Sequence, residues 1–140
     1  MASSSIVVDA SVAVKWLVFE EGSERANALL KTWLKRRTKI LAPDFLLIEA
    51  HNVLWKKVQR GQIGRDIPIF GSSPTLGLAC DWISSITLLP RAAALALRCE
   101  VTIYDAIYAA LAERVNCPFY TADAQLKERL RPASIAVENL

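Results

Sequence analysis

The feature that most constrains the fold is a short run of three β-branched residues, Ile6 to Val8, which ends directly on Asp9. Such a run favours a strand that is buried on both faces, the usual setting of a central strand in a parallel sheet. The acid would then lie at the carboxyl end of the strand, where open α/β sheets keep their functional groups. Ser11 follows as a candidate helix cap, and we predict a helix over residues 12–18. Taken alone, Asp9 could equally be an ordinary turn or capping residue.

Strand-like and helix-like segments alternate along the rest of the chain. The spacing of apolar residues predicts a helix over residues 23–35, with Ser23 as its N-cap, and a second helix from residue 44 or 45 to 59. Later helices are predicted over 91–99, from about 103 to 115 and over 124–130, and strands over 39–41, 86–89, 118–121 and 135–137. This alternation predicts one α/β domain over residues 1–140, with a parallel sheet covered by helices on both faces.

Residues 61–82 interrupt this pattern, because they contain four of the five glycines and two of the six prolines. We predict a long irregular connection with one short helical turn near residues 76–80. Two interpretations of it remain open, a mobile flap beside a binding groove and an ordered loop that replaces a helix. No glycine pattern typical of a nucleotide-binding loop occurs in it.

Composition excludes several classes of protein. No apolar run approaches the roughly 20 residues that a membrane span needs, and the N-terminus lacks the basic segment of a signal peptide, so we expect a cytoplasmic protein with no membrane partner. Three cysteines without a C-x-x-C pair argue against a disulfide framework and a zinc site. A single histidine, His51, excludes histidine-based triads and multi-histidine metal sites.

Three further acids break the local pattern as Asp9 does. Glu49 lies at the margin of the apolar stripe of its helix, Asp105 lies in the first turn of another helix, and Asp123 follows the fourth strand. Each has an ordinary explanation: Glu49 could extend to water or pair with a lysine, and Asp105 could serve only as a helix cap. Four such acids at one end of one sheet are harder to explain in that way.

Four clustered carboxylates need compensating charge. Two of them 4 Å apart repel by about 4 kcal/mol at an effective dielectric constant near 20. One or two divalent cations would provide the compensation, and ligands that are all oxygen favour Mg²⁺ or Mn²⁺ over zinc. The acids therefore predict a magnesium or manganese site.

The chain resembles the PIN-domain ribonucleases, and among them the VapC-type toxins of toxin–antitoxin modules. Four motifs in order and spacing support the resemblance: V-V-D-A-S at 7–11, P-x₅-E at 43–49 continuing to Asn52, Y-D-A-I-Y-A-A-L-A at 104–112, and T-A-D at 121–123. The resemblance implies a single PIN-like domain, a three-layer sandwich whose five-stranded parallel sheet has the first strand at its centre.

The resemblance also implies an activity, metal-dependent endoribonucleolytic hydrolysis of RNA. The implied catalytic residues and metal ligands are Asp9, Glu49, Asp105 and Asp123. Polar groups that would orient the carboxylates or a bound water are Ser11, Asn52 and Thr121. A homodimer and a cognate antitoxin are the implied protein partners.

Residues 64–98 depart from the family pattern, which leaves substrate choice and dimer form open. The main alternative is a catalytically inactive PIN-like scaffold that binds RNA or protein. A phosphate-transfer domain of the receiver or haloacid-dehalogenase type is a weaker one, because Asp9 lacks a D-x-D context.

Positive charge is in surplus outside the predicted site. Setting aside the four acids leaves 17 basic and 10 acidic residues, which is consistent with a basic rim that binds phosphates. The candidates are Lys15, Arg36, Arg37, Lys56, Arg60, Arg65 and Arg91. The cluster at 35–37 with Lys39 could also be a solvated helix end.

Overall fold

The computed structural model describes residues 4–66 and 79–140. In these residues the strands are β1 (Ser5–Val8), β2 (Lys39–Pro43), β3 (Cys80–Ile83), β4 (Phe119–Thr121) and β5 (Val137–Asn139). The helices are α1 (Ala10–Leu17), α2 (Ser23–Lys35), α3 (Phe45–Gln59), α4 (Ser85–Cys99), α5 (Ile103–Val115) and α6 (Ala124–Arg129). None of the helices in the described ranges is long and apolar enough to cross a membrane.

The five strands form one parallel sheet in the order β3-β2-β1-β4-β5, so the first strand lies at its centre as predicted. The side chains of neighbouring residues Val7 and Val8 point to opposite faces of a strand, and both residues are fully buried. Both faces of the sheet are therefore covered. This confirms the prediction of an α/β three-layer fold.

Helix α5 is the most enclosed helix in the described part of the chain. Every residue from Ala106 to Ala112 is buried, which is typical of a helix that is packed on all sides and not along one stripe. It contacts β1, β2 and β4 and packs along α4. Its first turn is thereby held beside the carboxyl end of the central strand.

The predicted helices over 23–35 and 45–59 are confirmed, but both predicted serine caps are wrong. Asp9 itself caps α1, and Ser11 lies in the first turn of that helix. Gly22, at φ 87°, holds the cap position of α2 in a left-handed conformation that glycine adopts readily. Ser23 lies within α2, and its hydroxyl donates to the carbonyl of Val18 and accepts from the amide of Glu20.

The prediction of a third strand over residues 86–89 is wrong, because these residues lie inside α4. The strand is β3, at Cys80–Ile83, where the sequence suggested the end of an irregular connection. Pro90 does not end an element but lies within α4. The last strand begins at Val137, two residues later than predicted.

The predicted helical turn near 76–80 and the flap hypothesis depend mainly on residues 67–78, which lie outside the described residues. Cys80 itself begins β3.

Candidate active site

A pocket of about 400 Å³ opens at the carboxyl end of the sheet and contains all four acids that the sequence singled out. Its lining residues are Asp9, Ala10, Ser11, Val14, Glu20, Glu49, Val53, Lys57, Asp105 and Asp123. Two of the acids follow β1 and β4, one lies on α3 and one in the first turn of α5. Four elements distant in sequence thus bring carboxylates to one place.

Asp9 is the most buried of these acids, with 6% of its surface exposed. The hydroxyl of Ser11 and the amide of Val12 donate to its Oδ1, and the Thr121 hydroxyl donates to Oδ2 at 2.6 Å. Both oxygens therefore accept hydrogen bonds, which fixes the orientation of the carboxyl group. Ser11 and Thr121 stand where the sequence predicted polar groups that orient a carboxylate.

The same two hydroxyl groups connect Asp9 to the segment that carries Asp123. The amide of Ala122 donates to Ser11 Oγ at 2.9 Å, and the amide of Asp123 donates to Thr121 Oγ1 at 3.1 Å. Asn139 of β5 donates from its Nδ2 to the carbonyls of Thr121 and Asp123, both at 3.2 Å. The strand ends of β1, β4 and β5 are thereby locked together. No sequence pattern pointed to Asn139.

Asp123 also caps α6, because its Oδ1 accepts from the amides of Gln125 and Leu126 at 2.9 and 3.2 Å. Asp9 caps α1 in the same way. The capping interpretation and the functional interpretation of these acids are therefore compatible. Both residues line the pocket while they cap their helices.

Glu49 has a partner that sequence reasoning missed. The hydroxyl of Tyr108, a fully buried residue of α5, donates to Glu49 Oε1 at 2.7 Å. The ring of Tyr108 stacks on Phe119 of β4, with centroids 6.0 Å apart and planes 7° from parallel. A ring packed in this way leaves its hydroxyl little freedom, so it fixes one oxygen of Glu49. In the sequence this tyrosine is indistinguishable from any other core residue of its helix.

Three acids of the pocket have raised pKa values. Burial raises the pKa of Asp9 from 3.8 to about 6, with a further contribution from the charge of Glu49. Burial, then the charge of Asp105, raises the pKa of Glu49. Burial and the charge of Asp123 raise the pKa of Asp105. Each of these acids is therefore destabilised by the next one in the cluster, as expected of a site in which acids outnumber cations.

The donor set fits a hard divalent cation, because the titratable ligands available in the pocket are carboxylates. In the described ranges, however, no group of three or more acidic, histidine or cysteine side chains is already arranged to hold a metal ion. Both oxygens of Asp9 and one each of Glu49 and Asp123 accept hydrogen bonds. A carboxylate offers about four lone pairs, so these hydrogen bonds are compatible with a cation as a further partner.

Two more charged residues line the pocket, Glu20 and Lys57, and no sequence pattern singled them out. Glu20 lies in the connection after α1, and its carboxylate pairs with Lys15 at 2.7 Å and with Lys57 at 2.6 Å. Although burial alone would raise the pKa of Glu20, the hydrogen bonds and charges of the two lysines lower it. This acid is thus compensated by protein charge, whereas Asp9, Glu49 and Asp105 keep raised pKa values, although the charge of Arg129 lowers that of Asp105 in part.

Some predicted residues lie elsewhere. Asn52 is exposed on α3 and does not line the pocket, so its orienting role stays a prediction. Arg36 and Arg37 precede β2, whose first residue pairs with the first residue of β1, so they lie at the opposite end of the sheet from Asp9. Arg91 forms an ion pair with Glu113.

Comparison with known proteins gives consistent results. A family model described as "PIN domain" matches residues 6–130. Ribonuclease VapC3 from Pyrobaculum aerophilum is 35% identical over 130 residues, which cover 89% of this chain and 93% of that protein.

Solved structures share the fold. VapBC2 from Rickettsia felis, bound to a DNA fragment from its promoter, has a TM-score of 0.66 at 16% identity. The match covers 96% of this chain and 98% of that one. VapC20 of Mycobacterium tuberculosis, described as a toxin that cleaves the sarcin–ricin loop, also has a TM-score of 0.66 at 16% identity, with coverage of 88% and 93%. With a family match over most of its length and a relative above 30% identity, the chain belongs to the PIN-domain family, as its four motifs predicted.

Proposed function

We propose that this PIN-domain protein is a metal-dependent endoribonuclease that serves as the toxin of a VapBC-type toxin–antitoxin module. The main observation is that four carboxylates from four elements line one pocket and that three of them have raised pKa values. Such a cluster is unfavourable in an unliganded protein and favourable around a cation. The relative named a ribonuclease, at 35% identity, supports the activity.

Asp9, Glu49, Asp105 and Asp123 would hold one or two divalent ions, Mg²⁺ or Mn²⁺. When bound, such an ion activates water for attack and stabilises negative charge that develops on the phosphate. The protein's part is to orient the ligands. Ser11 and Thr121 hold Asp9 in one orientation, as Tyr108 does for Glu49.

The reaction needs no covalent intermediate with the protein. Ser11 is the only hydroxyl residue among the pocket residues that the structure describes, and its proton is donated to Asp9. A serine held in this way orients an acid and has no adjacent histidine to activate it. Direct attack by water is therefore the mechanism that these residues support.

RNA, a second copy of the chain and an antitoxin are the proposed partners, in the cytoplasm. The surplus of positive charge outside the four acids favours a polyanionic substrate. VapBC2 from Rickettsia felis is a toxin–antitoxin complex of the same fold, which supports an antitoxin partner for this chain.

The test is cleavage of single-stranded RNA by the purified protein with Mg²⁺, with Mn²⁺ and with EDTA. We expect cleavage with either ion and none with EDTA. Asp105→Asn and Asp123→Asn should abolish cleavage, whereas Asp81→Asn, which removes an exposed acid of β3 outside the pocket, should not.

Binding of RNA without cleavage under every metal condition would instead favour the inactive-scaffold alternative. Equal activity in EDTA and in Mg²⁺ would exclude the metal mechanism.

A further inference from the structure

One positive side chain faces the acidic pocket from α3. Lys57 is the only cation among the described residues that line it, against five acids. Glu49, Val53 and Lys57 follow one another at intervals of four residues, so one face of α3 presents a carboxylate, an apolar side chain and an ammonium group to the same space. The lysine lies eight residues, about 12 Å along the helix axis, from the glutamate.

The ammonium group of Lys57 is held in place by Glu20. Its Nζ lies 2.6 Å from Glu20 Oε1, and only 20% of the lysine side chain is exposed. Lys15 approaches the other oxygen of the same glutamate at 2.7 Å, and 12% of its side chain is exposed. A lysine fixed in this way has already lost most of the rotamer freedom that a phosphate contact would otherwise have to restrict.

These three residues carry a net positive charge. Two lysines share one glutamate, so the group retains a charge of +1 beside a pocket that four other acids line. A simple structural ion pair would need one lysine. An ammonium group has three donors, and Glu20 takes one of those of Lys57. The remaining donors and the surplus charge suit an anion that enters the pocket.

On this basis we propose that Lys57 is a substrate-positioning residue that binds a backbone phosphate of single-stranded RNA flanking the scissile one. The inference rests on the proposed function, because it takes the reaction centre to be the four acids. The backbone positions of Lys57 and Glu49 are two helical turns apart, and the Lys57 ammonium group is held at Glu20, so the contact we propose is to a neighbouring phosphate and not to the reacting one. The contact is to the backbone, so it should not depend on base sequence.

The test measures binding of a mixed-sequence single-stranded RNA at several salt concentrations in an Asp105→Asn background, with Mg²⁺ present. Lys57→Ala should weaken binding roughly fivefold at low salt and reduce the slope of log K against log salt by about 0.7, the value for one lost phosphate contact. Lys31→Ala is the control, since it removes the same charge from an exposed lysine of α2 that lies outside the pocket and is not a candidate for the basic rim. Lys57→Arg should restore most of the slope.

Equal slopes for Lys57→Ala and Lys31→Ala, or no RNA binding by the background variant, would overturn the inference. Urea unfolding of the variants identifies any loss of slope caused by unfolding, and in that case Lys57→Arg decides, because it keeps charge and packing. The two proposals fail separately. A protein that binds RNA through Lys57 without cleaving it contradicts only the nuclease, and one that cleaves RNA regardless of Lys57 contradicts only this inference.

Discussion

Asp9→Asn tests whether the acidic pocket stores unfavourable charge in the metal-free protein. Asp9 is almost fully buried, and its two oxygens accept hydrogen bonds from Ser11, Val12 and Thr121. Asparagine has the same shape and can keep the bonds to its oxygen, and the Thr121 hydroxyl can rotate to accept from the new amide. The substitution therefore removes the charge while leaving the packing nearly unchanged.

The size of the effect follows from the pKa of Asp9. Burial raises it from 3.8 to about 6, a shift of about two units, which corresponds to roughly 3 kcal/mol. A carboxyl group with a higher pKa in the folded state binds protons more tightly when folded, so it destabilises the fold as the pH rises. The penalty is absent below about pH 4, grows between pH 4 and 6 and is complete above that range.

We therefore expect Asp9→Asn to raise the free energy of unfolding by about 1–3 kcal/mol at pH 7.5 in EDTA, and by much less at pH 4.5. Urea unfolding monitored by tryptophan fluorescence gives the measurement. Comparing the variant with the parent at each pH cancels the pH dependence that other groups contribute to stability. One such group is Glu20, whose pKa is shifted in the opposite direction, downward. Glu24→Gln, at an exposed acid of α2, is the control.

The reasoning is refuted if the difference between variant and parent does not change with pH. A second arm adds Mg²⁺. The parent should gain stability by mass action, about 2.7 kcal/mol at one hundred times the dissociation constant, and Asp9→Asn should lose that gain. Absence of any Mg²⁺ effect on the parent would contradict the proposed metal site.

Three other predictions concern the tyrosine that contacts Glu49, the proline within α4 and the oligomeric state of the chain. Tyr108→Phe should destabilise the metal-free protein by about 1–2 kcal/mol and weaken Mg²⁺ binding, because Glu49 loses its hydrogen bond. Calorimetric titration measures the binding, and an unchanged affinity would contradict a role of Tyr108 in orienting Glu49. Pro90→Ala should raise the urea midpoint, because proline within a helix removes a backbone hydrogen bond at an exposed position; a lower midpoint would contradict this. The chain should sediment as a homodimer at micromolar concentration, and a monomer at every concentration tested would contradict the proposed assembly.

Local pattern was sufficient to predict the central strand and the helices over 23–35 and 45–59, and to single out the four acids that line one pocket. Each of these acids interrupts a local pattern, as Asp9 does after three β-branched residues. The convergence of the acids then follows from the parallel topology, since the carboxyl ends of parallel strands meet at one edge. That part of the site is encoded locally.

The error at β3 and α4 has a long-range cause. Residues 86–89 are apolar and partly β-branched, and the following Pro90 suggests that an element ends there. In the structure, Asp44 Oδ1 accepts from both the amide and the hydroxyl of Ser85, and that hydroxyl accepts from the amide of Phe45. The start of α4 is thus fixed against the start of α3, 41 residues away. The residues that neighbour Ser85 in the sequence therefore carry no information about that contact.

Lys57 and Tyr108 were missed for a related reason, which bears on how this site is organised. Each is an ordinary residue of its own helix: a lysine in the last turn of α3 and an aromatic residue in the core helix α5. Their significance depends on Glu20 and Glu49, which lie 37 and 59 positions away. The acids that would bind metal can be found from the sequence because a buried charge violates a local rule. The residues that hold those acids, or that would hold the substrate, violate no rule, and only the folded chain distinguishes them from their neighbours.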